Sequence, residues 1–213
     1  MPFELGRPLG APNNPEFQKQ VLCTLLGLLE RTDGPVILDD YPFDAPETDQ
    51  GVAVLSCPVR FDDPVTESTD PLKEKFIREI QAMRPWYEMA LEKRDRTSLV
   101  SSGLTIDDLG DYIYRFAMGE QPNNPRPEVD PTVSLKLAVE DLKGYYNEAV
   151  TAQPGQGNLP SQALKEWFWN ETAAGEVLLA LIKTCSQSGD AKLKMTGTRF
   201  LAPMDILLQH RVG

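Results

Sequence analysis

Glu171 and Thr172 are polar residues placed where the surrounding pattern calls for apolar ones. From Ser161 to Lys183 the residues Leu164, Trp167, Phe168, Leu178, Leu179 and Ile182 recur at steps of three and four, the spacing of one helix face. Carried through the middle turn, that face runs over Glu171, Thr172 and Gly175. A carboxylate turned into a core needs a partner, because burying an unpaired charge is costly. We therefore expect Glu171 to face inward from a helix spanning Ser161 to about Ser186. Tyr145 and Tyr146 lie on the preceding helical pattern and supply hydroxyl donors. Two outcomes stay open. A tyrosine satisfies Glu171 and nothing more happens there, or Glu171, Thr172, Tyr145, Tyr146 and Arg84 line a ligand-binding pocket. In the second case a glutamate of raised pKa could serve a hydrolase or lyase without histidine.

Other chemistries have fewer residues to draw on. Cys57 precedes Pro58 at the end of a strand-like run, and it is the one redox candidate. Without a basic neighbour to lower its pKa, a buried and inert thiol is the competing reading. Cys23, Cys57 and Cys185 form no C-x-x-C pair, which points to reduced thiols rather than zinc or a dithiol. The single histidine, His210, is the fourth residue from the end of the sequence, where a rigidly held imidazole is not expected. Glu140, Asp141, Glu148, Glu171 and Glu176 are helical carboxylates, but the Glu-x-x-His pairs of four-helix di-iron sites are missing. Gly-x-Ser-x-Gly, phosphate-binding glycine loops and His-Glu-x-x-His are missing too. We expect no metal and no cofactor, and no catalytic residue can be assigned.

The aromatic cluster Trp167-Phe168-Trp169 cannot all face one core, since successive helical residues point about 100° apart. Trp169 is the expected outlier, at the core's edge, against the preceding helix or in a subunit contact. Trp86 is the second interface candidate.

The elements that must position these residues are mostly helices. Residues 1–13 read as an extended arm rich in proline and glycine. Asn14-Pro15 opens a first helix whose leucines cover more than one face, so we expect it largely buried. Pro35-Val36-Ile37-Leu38 and Gly51 to Cys57 are β-like runs that could pair as a small hairpin around an acidic loop. That acidic stretch, from Asp39 to Asp70, is either a solvated loop or a docking surface for a basic partner. Asp70-Pro71 opens a second helix, with a kink or break expected at Pro85. Thr105 and Asp108 form a shortened capping box for the third, and Asp130-Pro131 opens the fourth. A weaker helix follows from Asp190 to Leu201. The expectation is a mainly α bundle of five to six helices with one small β-hairpin-like element. It is a single domain over 1–213, with a candidate subdomain boundary near 120–130.

The net charge of −11 disfavours nucleic acid and anionic membrane surfaces. The N-terminus lacks a secretory pattern and no run of about 18 apolar residues occurs, so a cytoplasmic location is expected.

Several short strings occur together: Gly6-Arg7-Pro8-Leu9-Gly10, Phe17-Gln18, Ser56-Cys57-Pro58-Val59, Arg84-Pro85-Trp86-Tyr87, and Trp167-Phe168-Trp169 followed by Glu171-Thr172-Ala173-Ala174-Gly175. In these the chain resembles a group of uncharacterised bacterial proteins, loosely associated with reductase selenoprotein B of the glycine, betaine and sarcosine reductases. That resemblance implies a bacterial origin. The thiol or selenol chemistry of those reductases needs a cysteine-rich motif, which this sequence lacks, so it transfers to no residue here. The resulting expectation is an acidic, soluble helical binding or accessory protein, acting through a protein partner or as a homo-oligomer. The alternative is the small-molecule pocket or enzyme described above.

Overall fold

Three helices begin with a capping side chain followed by a proline. Asn14 Oδ1 accepts from the amide of Phe17 at 3.2 Å, Asp70 Oδ1 from Lys73 at 3.2 Å, and Asp130 Oδ1 from Thr132 at 3.0 Å. Proline fits behind each cap because the first helical turn has no use for its missing N–H. The structure is a computed structural model and describes residues 9–10, 14–34, 36–43, 69–154 and 161–210. Among these are eight α-helices and no strand. They fall into two units, Met1–Gly51 and Val52–Gly213.

In the first unit, α1 (Pro15–Gly27) is continued by a single 3-10 turn, Leu28–Glu30. Only Phe17 and Val21 of α1 are buried. The Phe17 ring meets Tyr41 edge-on at 6.2 Å, and Tyr41 meets Phe43 at 5.7 Å. The largely buried helix expected from the sequence is thus corrected: one face is covered, and the leucine face is not. Val36 and Leu38 are exposed and irregular. Their expected hairpin partner, Gly51 to Cys57, lies outside the described residues, as does the acidic run from Asp44 to Glu67.

The second unit holds α2 (Pro71–Arg94), α3 (Ile106–Ala117), α4 (Pro131–Ala152), α5 (Ser161–Glu171), α6 (Ala173–Ser186), α7 (Ala191–Arg199) and α8 (Met204–Gln209). α2 and α4 lie against each other, and α6 packs against α2, α3, α5 and α7. The core between them is built from Phe76, Ile80, Ile113, Leu142, Leu178 and Leu181, each no more than marginally exposed. Tyr114 on α3 donates its hydroxyl to Asp70 at 2.6 Å, which ties α3 to the start of α2.

α2 does not end at Pro85; the ring lies on the exposed side, and the carbonyl it leaves unpaired belongs to exposed Gln81, within reach of water. The helix expected from Ser161 to Ser186 is two helices, broken at Thr172. α8 adds another, so the count exceeds five to six. The candidate boundary near 120–130 connects α3 to α4 inside the second unit.

Candidate functional site

The buried carboxylate of this protein is Glu79, not Glu171. On α2 the core-facing residues Phe76, Ile80 and Met83 put position 79 on the same face, and Glu79 is 1% exposed. Its two oxygens meet the start of α6: Oε2 accepts from the amide of Ala173 at 2.9 Å, and Oε1 from that of Ala174 at 3.0 Å. Tyr146 on α4 donates its hydroxyl to Oε1 at 2.7 Å. Thr172 completes the cap. Its hydroxyl oxygen accepts from the amide of Gly175 at 2.9 Å and donates to the carbonyl of Phe168 at 2.6 Å. The Glu176 amide reaches the Thr172 carbonyl at 3.2 Å. The amides of Ala173, Ala174 and Gly175, which a helix N-terminus leaves without intrahelical partners, are therefore satisfied, and the carboxylate sits at the positive end of the α6 dipole.

Burial pushes the Glu79 carboxyl above the usual carboxylate range, against the pull of its three donors and of Lys75. Burial and the neighbouring carboxylate hold the Tyr146 hydroxyl far above its ordinary value, so it stays a proton donor. Gly175 fixes the crossing of the two helices. A Cβ there would stand 2.3 Å from the carbonyl oxygen of Phe168 and 2.9 Å from that of Trp169. Only a residue without a side chain allows the last turn of α5 to approach so closely.

Of the five residues expected to line a pocket, four make separate hydrogen bonds or ion pairs, although the Tyr145 and Tyr146 rings meet at 5.8 Å. Glu171 is the last residue of α5 and is exposed, because the break at Thr172 ends the stripe before it turns inward. Thr172 is buried, but both its bonds hold the break together. Tyr145 donates to the Ile80 carbonyl at 2.6 Å. Arg84 pairs with Asp107. Four of the five residues thus point to four separate destinations, and the fifth points to solvent.

Trp169 is also corrected. It is 4% exposed, with its ring edge-on to Phe168 at 5.4 Å. All three aromatics of the cluster are buried, because the beginning of α6 folds back over the last turn of α5 at Gly175. Trp86 is half-buried against the core. Cys57 lies outside the described residues. Burial raises the Cys185 thiol to about 11, which makes it a poor nucleophile. Among the described residues, no cluster of three or more histidine, cysteine or acidic side chains is placed to hold a metal. No helix among them is long and apolar enough to cross a membrane.

Two more carboxylates do structural work that the sequence reading missed. Asp141 on α4 accepts from the amides of Ser101 at 3.3 Å and Ser102 at 2.8 Å, and from the Ser102 hydroxyl at 2.6 Å. One turn beyond Gly144, Glu148 accepts from the Ser98 amide at 2.7 Å and its hydroxyl at 2.6 Å. Between them Gly144 leaves room, since a Cβ there would meet Ser98 Oγ at 2.7 Å. The spacing 141, 144, 148 puts all three on one face of α4, where they clamp the α2–α3 connection. That spacing was the available signal.

The remaining unexplained feature is apolar and lies in the first unit. Leu22, Leu25, Leu26 and Leu29 are 43%, 50%, 59% and 81% exposed. Their order is i, i+3, i+4, i+7, one stripe along α1 and its closing turn, with buried Val21 at its edge. No family model, curated protein or solved structure matches the chain. The resemblance to bacterial proteins near the reductases therefore rests on the short strings alone.

Proposed function

We propose that this protein is a binding or accessory module that engages another protein chain through the leucine face of α1. The observation that carries the reading is the stripe Leu22, Leu25, Leu26 and Leu29, spaced as the anchors of a helix that docks against a partner. Four leucines exposed in a row are unusual where each would release about 1.5–3 kcal/mol on full burial. Of the residues expected to line a pocket, Thr172, Tyr145, Tyr146 and Arg84 are engaged by neighbouring turns and side chains, and Glu171 is exposed.

A photo-cross-linking amino acid at Leu26, in cells making the protein at its native level, tests this. The expected result is a covalent adduct to a protein chain that disappears when Leu25→Asp is added. A matching probe at exposed Glu171 serves as the control. Absence of any protein adduct, or equal adducts from both positions, would overturn the proposal.

A further inference from the structure

The leucine stripe has flanks, and their charges constrain what can lie on it. At about 100° per residue, Lys19 sits about 60° and Glu30 about 80° round the helix from Leu22, on the same side. The tighter closing turn carries Glu30 somewhat further the same way. Both side chains are exposed, and neither takes part in an ion pair or hydrogen bond among the described residues. Arg31, by contrast, is engaged by Asp33 and Asp39. The opposite flank, with Val21 and Leu28, carries no charge.

We propose that the leucine face of α1 pairs with α1 of a second copy of this chain in an antiparallel, two-fold arrangement, with Lys19 of each copy beside Glu30 of the other. The proposal rests on the protein-contact reading of α1 and names its partner. When two helices pack antiparallel, equivalent flanks face each other; when they pack parallel, opposite flanks do. Antiparallel pairing centred between Leu25 and Leu26 brings Lys19 within about one helical turn of Glu30 of the second copy, and the two-fold axis makes the contact twice. Parallel pairing would set both charges against an uncharged flank. The helix contributes little to the chain's net charge of −11, since only Glu16, Lys19 and Glu30 are charged between Pro15 and Glu30. The leucine contact can therefore form where the rest of the surface repels.

Sedimentation equilibrium of the full chain, from low to high micromolar concentration, tests the pairing. Wild type is expected to self-associate to a dimer, and the Leu25→Asp/Leu26→Asp double variant to remain monomeric. Lys19→Glu and Glu30→Lys should each weaken association about tenfold, because each turns two attractive contacts into repulsive ones. Combined, they should restore it. Glu30→Lys is the sharper test, since it makes each chain two units less negative and would strengthen association if overall repulsion were in control. These are surface changes, so every variant should fold. A wild type that stays monomeric overturns the inference, as does a dimer that survives the leucine changes or a double swap that fails to restore affinity. The photo-cross-link separates this failure from failure of the binding-module reading. An adduct at twice the chain's mass supports self-pairing, whereas an adduct to a different protein ends it and leaves the contact surface standing.

Discussion

The start of α6 and the face of α1 treat the same problem in opposite ways. At the start of α6, three amides, a carboxylate and two hydroxyls satisfy one another within 3.0 Å. On α1, four leucines that dislike water remain exposed to it among the described residues. Polar groups in the interior cannot wait for a partner, because an unmade buried hydrogen bond costs about 1–3 kcal/mol for as long as it is unmade. Exposed apolar groups can wait. In the proposed reading, the contrast between the closed α6 start and the exposed leucines marks where the molecule meets another chain.

The largest effect should come from removing the carboxylate. Glu79→Ala leaves two helix-starting amides and the Tyr146 hydroxyl without acceptors. It is expected to lower unfolding free energy by about 3–5 kcal/mol in urea titrations. A loss under 1 kcal/mol would mean the α6 start is less tightly closed than its geometry implies. Gly175→Ala comes next, at about 2–3 kcal/mol, because the new methyl must push the backbone of α5 away.

Comparison of wild type with Glu79→Gln isolates the titration of the site. The folded pKa of Glu79 lies above its unfolded value, so its favourable contribution is complete below the unfolded pKa and is lost as pH rises through the folded one. The deficit of the Gln variant should accordingly be greatest near pH 4 and shrink toward neutrality. A deficit that grows with pH would show the carboxyl to be lowered instead. The smallest effect belongs to Glu171→Ala, within about 0.5 kcal/mol, as for other exposed positions. A loss of several kcal/mol there would restore the inward-facing glutamate expected from the stripe.

The helix starts were readable because each rests on a local interaction: Asn14, Asp70, Thr105 and Asp130 all cap as their residue types suggest. The break at Thr172 was not, because apolar residues continue on both sides and a stripe alone does not reveal a change of direction. Thr172 followed by Gly175 was the visible sign, a cap residue with a side-chain-free position one turn later. A carboxylate on an apolar face does mark a special position, but on α2 and not at Glu171. Phe76, Glu79, Ile80 and Met83 carry the same signature on α2. Its donors come from residues more than 60 positions away, which no local pattern could name. The α1 leucines were misread for a different reason. Periodicity identifies an apolar face but does not say whether the chain itself or another molecule covers it.

Solvent paramagnetic relaxation of leucine methyl groups, followed by NMR as protein concentration rises, compares the two regions most directly. In dilute protein the methyls of Leu22, Leu25, Leu26 and Leu29 should relax strongly while those of core Leu181 do not, and the α1 set should become protected on association. If the α1 methyls are already as protected as Leu181 in the dilute chain, that face is covered from within and the central claim fails.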